Sequence, residues 1–318
     1  MSLVSALGTA ILPVLSVAAV GFLLGKVREV DVDALGTVTI YVLTPALIFH
    51  SLATSEISGG LAAKLLAGVG LFTLAMVALA ELVGRLLGES EPVLGALVLS
   101  SSFPNAGNYG IPLSAFAFGA VGRSTAVLYI AGQSVLMYTV GVYLASRGET
   151  TDLRSAAAEV FRLPLVYAVV AAWVARWAGV VPAADTAAME TLQLVGDASI
   201  PVMLLMLGIQ LANTQHGAAI SRVGVSNGLK LVVAPLVGVG VALVLGLGAS
   251  PAVARVFVLE CGMPAAVTPL ILSIEYDSGD GEGLSGPEYV STAIFASTVA
   301  SVVTLTGLIA VLQSGLVI

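Results

Sequence analysis

Residues 100–112 read Ser-Ser-Ser-Phe-Pro-Asn-Ala-Gly-Asn-Tyr-Gly-Ile-Pro, inside an apolar run from Pro92 to Gly119. Pro104 and Pro112 each lack a backbone donor, and Gly107 and Gly110 weaken whatever helix remains. Broken backbone at membrane depth persists only where protein buries it or where it lines an aqueous cavity. A half-helix restarting near Asn105 would aim free N–H groups and a positive dipole end at that cavity, an arrangement that suits an anion. Asn105 and Asn108 add neutral side-chain donors. The chemistry on offer is reversible capture of an anion. The competing reading is a kinked packing helix whose glycines merely permit close contact. A second stretch, Glu260-Cys-Gly-Met-Pro-Ala-Ala-Val-Thr-Pro269, tips the balance towards the site. Gly262, Pro264 and Pro269 break it in much the same way, and it offers Val267 and Thr268 but no asparagine, so the two half-sites are chemically unequal.

Other polar groups fall within apolar runs. Ionisable residues at membrane depth are functional candidates by default. Two roles are open for Glu260: a proton-coupling carboxylate, or a partner for a basic group such as Lys230. Glu81 and Arg85 have the spacing of an i,i+4 pair on one helix. Asp197 precedes Pro201 and is expected to cap a half-helix. Gln133 and Tyr138 lie about 140° apart around a helix, so both face one cavity only if it is wide. Gln133 alone suits a hydrogen bond between helices. His50 suits a packing role near a helix end. No nucleophile–base–acid set, His-Glu-x-x-His or phosphate loop is present, so an enzyme and a metal or cofactor site are not expected.

These residues need a membrane bundle to position them. The chain has 318 residues, of which 58% are hydrophobic and 10% charged, with a mean hydropathy of +1.05. Soluble domains carry about 25% charged residues, so an all-α polytopic membrane protein is expected, with the lipid bilayer as its partner. The net charge of −7 argues against nucleic acid, and the lone Cys261 excludes an internal disulfide. Ten apolar runs follow one another: Leu3–Gly25, Ala34–Leu52, Leu61–Leu87, Pro92–Gly119, Thr125–Ala145, Leu163–Ala178, Thr186–Ala212, Ala219–Leu247, Pro251–Tyr276 and Glu288–Leu312. They predict ten transmembrane spans, the sixth being the shortest. No lysine or arginine precedes the first, which therefore reads as a retained helix.

The polar stretch Ser146–Arg162 divides the chain into residues 1–145 and 163–318, five spans each, with 146–162 as a linker. Asp277–Pro287 reads as an acidic surface loop. Pro13, Pro45 and Pro104 in spans 1, 2 and 4 are echoed by Pro164, Pro201 and Pro264 in spans 6, 7 and 9. An odd number of spans per repeat inverts the second copy, which is the plan of secondary transporters whose site lies where the interrupted helices meet. With the N-terminus outside, Lys26, Arg28, Arg85, Arg147, Arg154, Arg162 and Arg222 fall inside. Lys64, Arg123, Arg176 and Arg255 fall outside, and Lys230 lies in span 8. That bias makes the central loop cytoplasmic in a protein of the cell membrane.

At these residues the chain resembles the auxin efflux carrier family, which includes PIN-type auxin carriers and prokaryotic permeases for malate and malonate. The matching stretches are Ile11-Leu-Pro-Val-Leu15, Tyr41-Val-Leu-Thr-Pro-Ala-Leu-Ile-Phe-His50, Pro104-Asn105 with Gly110-Ile-Pro-Leu113, Gln133 with Tyr138, and Met263-Pro-Ala-Ala-Val-Thr-Pro269 with Glu275-Tyr276. The resemblance implies ten helices in inverted repeats, a fold shared in outline with bile-acid symporters and sodium/proton antiporters. It implies broken helices 4 and 9 that cross, a scaffold of spans 1, 2, 6 and 7 that often dimerises, and elevator-type movement of spans 3–5 and 8–10. It makes Asn105 the residue that meets a substrate carboxylate, and it places Gln133, Tyr138, Thr44 and Ile48 at ligand-lining positions. The implied function is secondary transport of a small organic anion, with coupling to H+ or Na+ left open. Ile48 is apolar where PIN-type carriers can present a hydroxyl, and Ser146–Arg162 is short where plant carriers can have a long loop. A cation/proton antiporter on the same scaffold would place an acid at the crossing, where this chain has asparagine. A ligand-binding receptor that moves nothing would have no use for two matched gates.

Overall fold

A computed structural model of the chain describes residues 3–146, 160–213, 220–276, 284–315 and 317. Arg147, Arg154 and the acidic Asp277, Asp280 and Glu282 lie outside the described residues. Among those described, every regular element is a helix apart from one isolated bridge. Seven helical runs are long and apolar enough to cross a bilayer. In chain order these and the shorter helices are α1 (Leu7–Val27), α2 (Val32–Ala53), α3 (Gly59–Leu86), α4 (Val93–Ser102), then a run Ala106–Ala145, α7 (Pro164–Ala178), α8 (Ala187–Asn213), α9 (Gly224–Val244), α10 (Pro251–Cys261), α11 (Thr268–Glu275) and α12 (Gly286–Ser314).

The run Ala106–Ala145 has 40 residues. At ~1.5 Å per residue a straight helix of that length would be about twice as long as a bilayer core is thick. It is not straight. Gly119 has φ 62° and ψ −140°, outside the helical region. A Cβ added at Gly122 would overlap the carbonyl of Ser114, eight positions earlier, which is possible only if the chain turns back at Gly119. The run is therefore two helices, α5 (106–118) and α6 (120–145).

Prolines shape the spans from within. π turns at Leu7–Ile11, Thr39–Leu43, Ala106–Gly110 and Leu229–Val233 immediately precede helices with Pro13, Pro45, Pro112 and Pro235 in their first turn. The wider turn moves aside the carbonyl that the pyrrolidine ring would strike. Pro201 instead sits inside the continuous α8. The expectation that Asp197 caps a half-helix there is not met. Asp197 lies four residues before Pro201, mid-helix, and its carboxylate takes Arg123 at 2.6 Å.

Helix packing follows the small residues. A Cβ at Gly21 would overlap the Leu205 carbonyl, and one at Gly208 would overlap that of Ala18, so α1 and α8 lie backbone to backbone. Gly196 likewise brings α8 close to the backbone of Leu47 of α2, though less tightly. The end of α7 joins this group, since the Arg176 guanidinium donates to the carbonyls of Leu52 and Ile57 and stacks over Trp173. The outward surface is apolar, with Leu23, Leu86, Trp177 and Val303 well exposed, as befits contact with lipid tails.

Candidate functional site

The chain leaves helical geometry at Phe103 and again at Gly262, and the two breaks meet. The Asn105 N–H donates to Pro264 O at 2.8 Å, and the Ala266 N–H donates to Phe103 O at 3.0 Å. This short antiparallel bridge pairs Pro104 with Ala265. Each broken segment thus supplies the hydrogen bonds that the other has lost by leaving the helix, as buried backbone requires. The Ala265 N–H is held by Ser297 Oγ of α12 at 3.1 Å. From α6, Gln133 Nε2 donates to Pro104 O at 2.8 Å. Gln133 is therefore interhelical glue as its sequence context suggests, and it also lines the cavity next to the breaks.

That cavity has a volume of about 460 Å³. Pro104, Asn105, Gly107, Asn108, Gln133, Tyr138, Thr44, Val267 and Thr268, all expected from sequence, line it. Both restarted helices begin on its wall, α5 after Asn105 and α11 after Val267, and neither carries a side-chain cap. At α5 the Ala106 N–H turns back onto Pro104 O at 2.8 Å. At α11 Pro269 has no N–H, and the Leu270 N–H donates to Val267 O at 2.9 Å. The amides of Gly107, Asn108 and Thr268 are left without a helical acceptor. Asn105 is 5% exposed, and its Nδ2 has no hydrogen-bond partner. A buried unsatisfied amide costs about 1–3 kcal/mol, so it marks a place where something else completes the bond. Among the described residues no basic side chain lines the cavity, and the acidic residue that does is Asp33.

Four expected residues lie elsewhere. Ile48 is fully buried in the core and does not reach the cavity. Gly110 faces Glu260, where any Cβ would overlap Oε2, so this glycine makes room for a carboxylate rather than a ligand. Glu260 is fully buried; its Oε1 accepts from Ser114 Oγ at 2.6 Å and its Oε2 has no partner. Lys230 is also fully buried, but it does not pair with Glu260 at ion-pair distance: the ion pairs among the described residues do not include these two. Its ammonium donates to Cys261 O at 3.0 Å and sits 5.4 Å from the Phe72 ring centre. Cys261 ends α10, so Lys230 serves as a cationic C-terminal cap on the first half of the second broken helix. Pro112, Pro264 and Pro269 shape the breaks from outside the lining.

Several lining residues were not anticipated. Thr37 and Tyr41 stand seven and three residues before the expected Thr44 on α2 and form one face of the cavity with it. Helical spacing from Thr44 towards the start of α2 identifies them. Met203 and Met206 of α8 and Met137 of α6 complete an apolar wall, and no polar signal marks them in the sequence.

Two bridged helix breaks on the wall of a cavity, inside a bundle of apolar membrane-length helices, suit a molecule that enters from outside the protein. The class that this defines is a multi-pass membrane transporter. The chain belongs to the family described as "Membrane transport protein", the auxin efflux carrier family, whose pattern matches residues 6–160 and again residues 153–309. It is also similar to an "uncharacterized transporter" of Methanothermobacter thermautotrophicus, with 29% identity over 304 residues that cover 93% of this chain and 95% of the relative.

Proposed function

We propose that this protein is a secondary carrier for small organic anions that works by elevator-type alternating access. The observation that carries the reading is Asn105, a buried amide with an unpartnered Nδ2 at the junction of two mutually bridged helix breaks. A carboxylate entering this site loses hydration worth many kcal/mol and needs replacement donors. Asn105, Asn108 and the backbone amides of Gly107, Asn108 and Thr268 provide them without a cation, which favours release as well as capture. Counting α4 with α5 and α10 with α11 as single interrupted crossings gives ten spans in two five-span repeats. In this reading α1, α2, α7 and α8 form the scaffold, through which a homodimer would assemble, while α3–α6 and α9–α12 move. The N-terminus lies outside and the central linker in the cytoplasm.

Titration of purified protein with a panel of small carboxylates, followed by Asn105→Ala, tests the site. The variant is expected to lose ~1.5–3 kcal/mol of binding, the value of a hydrogen bond to a charged group, or one to two decades in affinity. Asn105→Asp is expected to bind anions more weakly still, because it sets a negative charge against the ligand. Equal affinity in all three proteins would place the site elsewhere.

One observation favours proton coupling within the same reading. Glu260 lies one side chain from the helix break through Gly110, and its Oε2 is an open acceptor. A proton bound there would neutralise a fully buried carboxylate. A cation/proton antiporter is less well supported, since the residue at the paired breaks is a neutral amide.

A further inference from the structure

A second cavity, of about 580 Å³, lies beside the first between the end of α8 and the start of α12. The two share Val32, Gln210 and Val267 as lining residues. The second is sorted along its length. Asn213, Glu288 and Ser291 stand where α8 finishes and α12 begins, while Leu207, Leu270 and Ile294 run towards the second helix break. The lining stretches Leu207–Asn213 and Val267–Ile274 make the slot about 9–11 Å long at ~1.5 Å per residue. Ile274 at its edge is 62% exposed, so the slot opens to the surface of the bundle. The polar end offers mainly acceptors. Both protein hydrogen bonds to the Glu288 carboxylate, from the Ser285 N–H at 3.1 Å and Ser285 Oγ at 3.0 Å, fall on Oε2. Oε1 is left for a ligand. The Ser291 and Thr292 hydroxyls donate to Glu288 O, at 3.2 and 2.8 Å, and so keep only acceptor capacity. Among the described residues no basic side chain lines this cavity. The positive end of α12 is worth about half a charge and the Glu288 carboxylate a whole one, so the local field favours a cation.

We propose that this slot binds an amphiphilic primary amine, with its ammonium at Glu288 and its apolar chain between α8, α11 and α12. The site goes beyond the carrier reading and does not depend on it. A primary ammonium is donor-only, with three N–H groups for Glu288 Oε1, the Ser291 hydroxyl and the Asn213 amide oxygen. A carboxylate is acceptor-only and carries the same charge as Glu288, so the cargo proposed for the first cavity is rejected by the second. A quaternary ammonium matches the charge but lacks the donors. The bilayer is the reservoir, and the amphiphile enters sideways past Ile274. Lipid tails are as apolar as leucine, so the chain supplies fit and the head group supplies selectivity.

Isothermal titration of the whole protein in nanodiscs tests the site, with empty nanodiscs as the blank for partitioning. The probes are octylammonium, octanoate and octyltrimethylammonium. Octylammonium is expected to saturate a single site, and the other two to bind at least about tenfold more weakly. Glu288→Gln preserves the helix cap, because glutamine also serves at that position. It is expected to weaken octylammonium about threefold to tenfold, the effect of a charge-assisted bond discounted for solvent. Leu270→Trp fills the apolar end of the slot and is expected to abolish saturable binding. Should either variant fail to fold, the probe series in wild type decides alone. Equal binding of octanoate or of the quaternary amine overturns the proposal, as does unchanged affinity in Glu288→Gln or the absence of a saturable component. Loss of octylammonium binding in Asp33→Asn but not in Glu288→Gln would move the amine to the first cavity and also overturn it. None of these results bears on Asn105, so the carrier reading stands or falls on its own titration.

Discussion

At the residue scale, function rests on where side chains are left unsatisfied. Asn105, Gln133 and Glu260 each carry one buried polar atom without a partner, whereas Lys230 is held by Cys261 O and lies over the Phe72 face. This sorts the two membrane-embedded charges into different roles that their sequence positions left tied together. If Glu260 carries the coupling proton, Glu260→Gln keeps the hydrogen bond with Ser114 and removes the titration. Uptake by the wild-type protein is then expected to rise as the external pH falls, and the variant's profile to be flat with binding retained. An unchanged profile in proteoliposomes would return Glu260 to a packing role. Asn105 was legible in sequence because a polar residue beside helix breakers stands out in an apolar run, whereas the lining position of Gln133 came from the resemblance. Gly110 was legible as a breaker but not as the seat of Glu260, because that neighbour lies far away in the chain. Ile48 was carried in by resemblance, and the turn of α2 points it into the core.

At the element scale, the helix breaks are joined to one another while other contacts tie the proposed moving set to the scaffold. Arg123, just after the Gly119 reversal, pairs with Asp197 of α8 at 2.6 Å, and Ser124 Oγ donates to Ser51 O of α2 at 3.0 Å. Arg123 and Asp197 are partly exposed, at 25% and 43%, so the pair contributes only ~0.2–1 kcal/mol after screening. A bond this weak can be broken in every transport cycle. Asp197→Asn is expected to leave Tm within about 2 °C of wild type while increasing the accessibility of a reporter cysteine at Ser51. An unaltered labelling rate would show that the pair does not hold that end closed. Gly119 is a different matter. Its φ of +62° with ψ −140° is a region that residues with a Cβ avoid, so Gly119→Ala is expected to cost ~1–3 kcal/mol and to lower Tm. The reversal at Gly119 could be anticipated from the fall in hydropathy near Arg123. The continuity of α8 through Pro201 could not, because a proline kinks or breaks a helix according to what packs around it.

Across the whole molecule, the two ends of the bundle differ. The cavity reaches Val32, Asp33, Leu163 and Gln210 at the end where α2 and α7 begin and α8 finishes. The opposite end is closed by Arg176 on the carbonyls of Leu52 and Ile57 and by the Arg123–Asp197 pair. The orientation proposed from the charge bias makes the open end cytoplasmic. Single cysteines at Ser90 and Ser285 are therefore expected to label from the inside, and those at Ser55 and Ser250 from the outside. Labelling of Ser90 and Ser285 from opposite faces would defeat the ten-span count. The apolar runs were readable because bilayer thickness fixes the length of a span. Which helices pair was less so, because it depends on glycines such as Gly21, Gly196 and Gly208 that are common throughout the chain.

Cys261 is the chain's single thiol, fully buried, with its Sγ 3.7 Å from the Tyr129 hydroxyl. It ends α10 at the edge of the second break, on the residue whose carbonyl Lys230 holds. The wild-type protein therefore comes with its own stopwatch. Its rate of reaction with a membrane-permeant maleimide times how often that break comes apart, without any substitution, and a ligand that locks the breaks together should slow the clock.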